Sequence, residues 1–550
     1  MHRTVPHAPP LALPALALLV VAACTSSSDG QGDAAPPTGT LPSRFSVLTV
    51  SDAQSGQTSV RVLDHDTGQL RTLVGGSAPL LQSSVELSPD GAHLAVVDSV
   101  AAGTRVRIVE TATGTARTID LDNGAPLPPP GGRGGDGSSA RGGGTAGLVR
   151  FSPDGQRLLY LKRDAQLGGF RLELMEANGT GARTLPEPVR GEAFWLPDSA
   201  RIAAVRHDTA IDAQVAAVYD FETLDRLVSA PALGDFAIVD ALRVAADGSS
   251  IAYLGEVDVG TEGDWRVGVL NLDTGADAVF DPDVDELEDD RYFELSDDGR
   301  RVAFVGYTDD SSEIARVYVG HHGTGALVEA SPGAAQARVH FLQWEPGGDR
   351  LAFASDHRQV DVEEIFVGDG LGPCDPIWTA VPDDGDVEQV EWSPAGGLIA
   401  IAREGAVTDD ALFLFDADGV DEPVRVSFGG LAVETEDFVW ARDGTRVFAR
   451  DESGTERRFI SVAASDASDA VDLGPAWRGS SFAASSVGDD APVQTARRPD
   501  GSLELVWSAE DATGADVLLT GRIDDPAATA TLYDAGPPAT GDRIEGFALR

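Results

Sequence analysis

Two cysteines, 41 basic residues against 89 acidic ones, and 6% aromatics are what this chain of 550 residues is short of. Each shortage excludes something. With Cys24 and Cys374 alone there is no Cys-x-x-Cys pair, no cysteine-built metal site and no disulfide framework. A formal net charge of −48 leaves no basic face for a phosphate backbone, and it argues against adhesion to anionic lipid. Stretches of helical period are nearly absent after residue 23. The apolar run from Leu11 to Val21 has 11 residues, broken by Pro14, and is too short to span a bilayer comfortably. What remains is 42% hydrophobic, enough for a sizeable interior, inside an acidic surface suited to solubility, cations or a basic partner.

The chain does have a recurring corner. Phe151-Ser152-Pro153-Asp154-Gly155 is followed, two residues on, by the apolar run Leu158 to Leu161. Leu87-Ser88-Pro89-Asp90-Gly91 precedes Leu94 to Val97 in the same way. Worn copies are Leu196-Pro197-Asp198-Ser199, Ala245-Ala246-Asp247-Gly248 and Leu295-Ser296-Asp297-Asp298-Gly299. Others are Trp344-Glu345-Pro346-Gly347-Gly348, Trp392-Ser393-Pro394-Ala395-Gly396, Trp440-Ala441-Arg442-Asp443-Gly444 and Arg498-Pro499-Asp500-Gly501. The closing residue falls at 91, 155, 199, 248, 299, 348, 396, 444 and 501, and the five steps from 199 to 444 are 49, 51, 49, 48 and 48 residues. A period that regular marks a repeat architecture.

The corner has a mechanism. Proline presets φ for the second position of a type I turn, Ser and Asp bond local backbone, and Gly accepts the left-handed conformation that follows. The run after it lacks polar alternation and reads as a strand buried on both faces. Two further strand signals follow in each unit, as in Glu364 to Val367 and then Ile377 to Val381. Each unit therefore holds about four short strands, one blade of a β-propeller.

These corners resemble those of the TolB-type, WD-like propeller repeat family over roughly residues 44–550, with departures at Ser199, Ala245-Ala246 and Ala395. The resemblance implies an all-β propeller of four-stranded antiparallel blades. About ten units are counted and eight to ten blades expected; two consecutive propellers are the alternative. Residues 46–74 supply three strands without an opening one, and Ile544 to Leu549 is a spare strand at the far end, so the two are expected to complete one blade and latch the ring. Tandem β-sandwiches would need no constant period.

Val21-Ala22-Ala23-Cys24 ends the apolar run and resembles a bacterial lipobox, which implies a signal peptide over 1–23 and a lipidated Cys24. Two acyl chains hold stably where one would not, at about 0.8 kcal/mol per buried CH₂. Residues 24–43 are small, polar and Pro-rich, a flexible tether of about 25 Å reach. Thr25 in place of Asp, by resemblance to Gram-negative lipoproteins, points to the outer membrane. Residues 124–147, Pro- then Gly-rich, read as a disordered insertion that carries Arg133 and Arg141 but no phosphate-loop pattern.

Chemistry is sparse. The run Asp281 to Asp290 offers the oxygens that Ca²⁺ takes, but Glu286 stands where an EF-type loop needs Gly and Tyr292 where it needs Glu. A solvated acidic loop is the reading, Ca²⁺ the one cofactor left open. His321-His322 sit on a strand and point to opposite faces, so they do not share a metal. His207, His340 and His357 are scattered. No Gly-x-Ser-x-Gly elbow occurs, and no hydrolase domain of the kind that prolyl-oligopeptidase-like enzymes add to such propellers. Trp195, Trp344, Trp392 and Trp440 recur at the end of the opening strand and read as packing between blades.

The expectation is a non-enzymatic, lipid-anchored envelope module that binds an unidentified envelope protein or small ligand, with no nucleic acid and no catalytic or metal residues. Two alternatives stand beside it. One is a propeller hydrolase or lactonase with carboxylates at the channel mouth; the other is a surface scaffold.

Overall fold

The computed structural model describes residues 44–549 apart from 53–56, 78–79, 101–102, 121–148, 165–168, 209, 234–237, 258–263, 283–285, 288–291, 308–314, 332–337, 357–362, 380–386, 404–410, 419–423, 429–430, 433–437, 452–457, 476–492, 498–502, 511–515, 523–524 and 535–541. Cys24, the 24–43 tether, the 124–147 insertion, His357 and the corner Pro499-Asp500-Gly501 lie outside the described residues. What is described is all β, with no α-helix, and no helix long and apolar enough to cross a membrane.

Antiparallel sheets of four strands follow one another along the chain. In chain order the first unit covers 80–120, the second 149–184, the third 189–229, the fourth 238–280 and the fifth 286–329. The sixth covers 339–379, the seventh 387–425, the eighth 438–475 and the ninth 493–534. The second and third join into one eight-stranded sheet through Phe170 opposite Val189. In the fifth, the opening strand is split into Glu286–Leu287 and Phe293–Leu295. A further unit is built from both ends: Phe45–Asp52, Thr58–Asp64 and Leu70–Ser77 take Asp542–Leu549 as their fourth strand. Its register runs Ser46 to Leu549 through Asp52 to Asp542.

Burial follows strand order. The middle strands are the dry ones: Arg201–Asp208, Ala213–Asp220, Ser250–Val257 and Arg301–Tyr307 are largely buried. Fourth strands such as Arg226–Ser229 and Val424–Arg425 are short and solvated, which blunts the outer edge. Sheet faces pack on neighbouring units. Leu196, Val205, Leu242 and Tyr253 join the third unit to the fourth. Ala400, Leu412, Trp440 and Ile460 join the seventh to the eighth, and Phe448, Phe459, Leu505 and Trp507 join the eighth to the ninth. The terminal unit packs on both sides: Leu48, Val50 and Leu63 meet Val506 and Leu518 of the ninth unit, while Phe45, Val60 and Val62 meet Leu94 and Val96 of the first.

The corners behave as their residues dictate. Gly91, Gly155, Gly248, Gly299, Gly396 and Gly444 have φ of 66°, 72°, 70°, 64°, 75° and 68°, and Ser199 takes the same conformation at 57°. In the full motif Ser152 Oγ donates to Asp154 Oδ1 at 2.6 Å, and Asp154 Oδ1 accepts from Gln156 N at 3.0 Å. Ser88 with Asp90, and Ser296 with Asp298, repeat the first bond. One corner differs from expectation. At Glu345-Pro346-Gly347-Gly348 the left-handed residue is Gly347, with φ 66°, and not Gly348. Gly348 N still bonds Glu345 O at 3.0 Å. Pro at the second place and Gly at the third make a type II turn, which needs positive φ one residue earlier than the others do.

Candidate functional site

The two ends of the sheet array differ in chemistry. One end carries the corners, and each corner bonds the next. Gln156 Nε2 donates to Asp90 Oδ2 at 2.8 Å, Asp154 N to Ser199 Oγ at 3.0 Å, and Arg201 Nη2 to Gly248 O at 3.2 Å. Asp247 N donates to Asp297 O at 3.2 Å, Gly347 N to Asp297 Oδ2 at 2.5 Å, and Gly397 N to Glu345 Oε1 at 2.8 Å. Ser393 Oγ closes on Gly444 O at 3.4 Å. Pro89, Asp90, Gly91, Pro153, Asp154, Gly155, Asp298, Gly299, Pro346, Pro394, Gly396, Asp443 and Gly444 thus sit in one belt of turns. Their carboxylates are occupied by local backbone. Burial alone would raise Asp154 and Asp198, yet the hydrogen bonds each accepts hold both below the ordinary carboxylate value.

An arginine two places after the corner glycine reinforces this belt, and the sequence reading passed over it. Arg157 donates to Ser199 O at 2.6 Å and lies over the Phe221 ring at 4.3 Å. Arg301 donates to Asp349 O at 2.6 Å and lies over Trp344 at 4.8 Å; Arg350 lies over Trp392 at 5.5 Å. The signal was the recurrence of Arg at 157, 201, 301, 350 and 446. The tryptophans tie units together as expected. The indole N–H of Trp195 reaches Arg150 O, Trp344 reaches Glu294 O, Trp392 reaches Gln343 O and Trp440 reaches Glu391 O, at 3.1–3.3 Å and each one unit back.

Where the terminal unit meets the ninth, Ser46 Oγ lies 2.8 Å from His65 Nε2, and His65 Nδ1 lies 3.5 Å from Glu504 Oε1. The residue types are those of a hydrolytic triad. The setting is not: Ser46 is fully buried within a strand, and the side chains of His65 and Glu504 are 0% and 2% exposed. Glu504 also takes the Arg44 guanidinium on both oxygens. No substrate reaches that serine, and the group is a seam between the two ends of the chain.

The other end gathers ionic groups that burial makes costly. In the sixth unit Asp356, Glu363 and Glu364 are buried at the end of the second strand and the start of the third. In the seventh, Gln389 lies on the first strand and Arg403 ends the second; in the eighth, Arg450 and Asp451 end the second. These units are consecutive, so the groups form one arc. Asp356 Oδ1 accepts from Arg338 N at 2.6 Å, and Glu363 accepts from Val387 N at 2.5 Å while its other oxygen meets His340 Nε2 at 3.2 Å. Gln389 pairs its amide with both N and O of Phe438 at 3.0 Å, standing in for a strand neighbour along a free sheet edge. In the third unit a smaller network joins Tyr219, Glu187 and Arg226, while Arg206 meets Asp208 at 2.7 Å at the end of the second strand. The Arg206 hydrogen bond holds Asp208 below its ordinary value, and burial pushes the Tyr219 hydroxyl up. Nothing in the sequence marks the arc, because its members are ordinary residues at strand ends.

Other candidates are dispersed. His321 Nε2 meets Gly370 O at 2.9 Å in the next unit and His322 Nε2 meets Ala276 O at 3.2 Å in the previous one, on opposite sides as the strand geometry requires. Of the acidic run, Asp281 faces Arg266 at 3.5 Å, and much of the remainder lies outside the described residues. Among the described residues no three His, Cys, Asp or Glu side chains converge as metal ligands. Cys374 is buried, and burial pushes its thiol up to about 12.

No family model matches the chain, and no curated protein matches it. Solved structures do. A eukaryotic initiation factor is 13% identical, with 78% of this chain and 97% of that one covered, at a TM-score of 0.45. Dipeptidyl peptidase 4 of Porphyromonas gingivalis is 12% identical over 78% and 64%, at 0.42. TolB of Acinetobacter baumannii is 17% identical over 53% and 64%, at 0.27. The β-propeller domain of the Pyrococcus furiosus trilobed protease is among them too. One expectation is corrected here. The chain was read as non-enzymatic, yet the structures it resembles are mostly those of peptidases, together with an oligogalacturonate lyase.

Proposed function

We propose that this protein is a lipid-anchored β-propeller of the cell envelope. Its ten blades close into one ring through the pairing of Asp542–Leu549 with Phe45–Asp52. It is made as a precursor with a signal peptide over 1–23, carries its lipid on Cys24, and resides at the outer membrane. It binds an envelope protein at the end of the ring opposite the corners. The arc of Asp356, Glu363, Glu364, Arg403, Arg450 and Asp451 is the observation that carries this reading. Buried ionic groups add little to stability over apolar replacements, so their gathering on three consecutive blades supports a role in recognition. Affinity capture from detergent-solubilised envelopes tests it. Intact protein retains a specific partner that Glu363→Gln and Asp451→Asn variants lose; equal capture by all three removes the reading.

A second reading is favoured by the same arc. Asp356, Glu363, Glu364 and Asp451 are carboxylates at or beside strand ends away from the corners, the place where a propeller hydrolase or lactonase would carry them. Recovering bound small molecules and incubating them with fresh protein decides it. Conversion abolished by Glu363→Gln supports catalysis, and unaltered recovery removes it.

A further inference from the structure

We infer that Asn178 is an acceptor for an N-linked glycan, which it takes from a lipid pyrophosphate-linked oligosaccharide. This rests on the export reading above, since the modification belongs to surface loops of exported chains. The chain has three asparagines. Asn178-Gly179-Thr180 alone has the Asn-x-Ser/Thr pattern, because Asn123 is followed by Gly-Ala and Asn271 by Leu-Asp. The pattern falls in the turn between strands Gly169–Glu176 and Arg183–Thr184 of the second unit. Asn178 and Thr180 are exposed, and Gly179 between them is buried. Gly179 has φ 76°, and a Cβ there would lie 2.8 Å from Arg117 Cδ in the first unit. The middle residue is thus pinned to the neighbouring unit, while Ala177 N donates to Gln156 O at 2.8 Å beside the second corner. The acceptor and its hydroxyl stand out from a fixed base.

The acceptor amide is already oriented. Thr180 N donates to Asn178 Oδ1 at 2.9 Å, and Thr180 Oγ1 donates to the same oxygen at 2.7 Å. A backbone N–H only donates, so the oxygen is fixed on that side, and Nδ2 is the atom that remains for reaction. The connection does not need this arrangement to form. In the terminal, first, third, fourth and fifth units it closes with a threonine three places after the last strand residue, at Thr67, Thr113, Thr223, Thr274 and Thr324. There the left-handed residue donates back four places, as Gly68 does to Asp64 O at 2.8 Å and Gly275 to Asn271 O at 2.9 Å. In the second unit Gly179 N reaches back three places, to Glu176 O at 2.8 Å, and Asn178 comes just before it. This unit departs from a turn that five others share, and the departure is what sets out the acceptor. The step balances. Nδ2 bonds the anomeric carbon, the bond from that carbon to the pyrophosphate oxygen breaks, the lipid pyrophosphate leaves with the electron pair, and one Nδ2 proton passes to a base on the transferase.

Peptide mass spectrometry tests it. The full chain is produced with residues 1–23 in place, in a host that carries an oligosaccharyltransferase and a lipid-linked oligosaccharide of N-acetylhexosamines, beside a reporter glycoprotein that shows the transferase active. Trypsin cuts after Arg171 and Arg183, so peptide 172–183 holds the whole pattern. That peptide should carry the mass of one oligosaccharide. Asn178→Asp keeps an oxygen for Thr180, as Asp220 does for Thr223, so it preserves the turn while removing the nucleophile. It should lose the modification completely with an unchanged melting temperature. Thr180→Ser should retain it, and Thr180→Val should lower it at least about ten-fold. An exported chain whose 172–183 peptide is unmodified, or a modification that survives Asn178→Asp, overturns the assignment. Export is scored separately, by fractionation and by loss of residues 1–23. A chain that stays inside the cell with those residues intact overturns the export reading, and the acceptor with it.

Discussion

Arg44 and Glu504 stand 460 positions apart and form a two-pronged ion pair, with Arg44 Nε on Glu504 Oε2 at 2.8 Å and Nη2 on Oε1. Thr520 Oγ1 adds a bond to Oε1 at 3.3 Å, and His65 and Ser46 lie behind it. The pair bolts the strand group that begins the chain to the unit that precedes its last strand. Glu504 is 2% exposed but Arg44 is 26% exposed, so the cost of breaking it falls below that of a fully buried pair. Glu504→Gln should destabilise by about 1–3 kcal/mol. The loss should appear first as faster amide exchange along Phe45–Asp52 and Asp542–Leu549, and unchanged exchange there with full loss elsewhere would show that the bolt is not at the seam.

Gly155 and Gly68 share a left-handed backbone but not their surroundings. A Cβ on Gly155 would lie 2.7 Å from Asp90 Cγ and 3.0 Å from Asp90 N, while a Cβ on Gly68 meets nothing within 4 Å. Gly68→Ala should cost only the conformational penalty, roughly 1–2 kcal/mol. Gly155→Ala adds a clash with the neighbouring corner and should cost at least about twice that, read by urea unfolding. Equal costs would mean that the corners are not in contact.

The fold was legible because its signals are local and repeated. Pro153, Asp154 and Gly155 dictate a corner from their own chemistry, and Leu158 to Leu161 declare a dry strand without reference to anything distant. Glu345-Pro346-Gly347-Gly348 shows the limit of that reading: two adjacent glycines compete, and Pro346 decides for Gly347. The arc over Asp356, Glu363, Arg403 and Arg450 was not legible at all. Each is one charged residue at a strand end, and only packing of the sixth, seventh and eighth units brings them together. The seam group of Ser46, His65 and Glu504 was hidden for the same reason, because Glu504 lies in the ninth unit, far along the chain from the other two.

Trp392 offers a test of how units hold one another. Its indole N–H donates to Gln343 O at 3.2 Å, its ring is 3% exposed, and Arg350 lies over it. Trp392→Phe keeps an aromatic ring but removes the donor and leaves that carbonyl short of a partner. A loss of about 1–3 kcal/mol is expected. Trp392→Leu, which also removes the face beneath Arg350, should cost more; the reverse order would deny the hydrogen bond and the cation contact any part.

Cys374 packs among Val319, Trp344 and Phe366, and its N–H reaches Ala330 O at 2.7 Å. Burial raises its thiol to about 12, so little thiolate exists near pH 8. In a Cys24→Ser chain, a thiol reagent at pH 8 should find no reactive group until denaturant unfolds the protein, when one equivalent reacts. Rapid labelling of the folded chain would place Cys374 at the surface.

Glu345 links a corner to its own strand and to the next corner. Arg350 donates from Nε to Oε2 at 2.8 Å and from Nη2 to Oε1 at 2.7 Å, and Gly397 N donates to Oε1 at 2.8 Å. The Arg350 hydrogen bonds, against the opposing pull of burial, hold this carboxyl below its ordinary value of 4.5. An acid depressed in the folded state binds fewer protons there than when unfolded. Its stabilisation is therefore complete above 4.5 and drains away as pH falls through the lower folded value. Glu345→Gln removes the titrating group, so its melting temperature should lie below that of the unaltered protein at pH 7, and the gap should close as pH falls below 4.5 and through the lower folded value. Because Gln keeps an acceptor for Gly397 but has no charge for Arg350, the gap at pH 7 reads the ion pair itself. Curves that stay parallel through the acid range would assign acid sensitivity to other carboxylates.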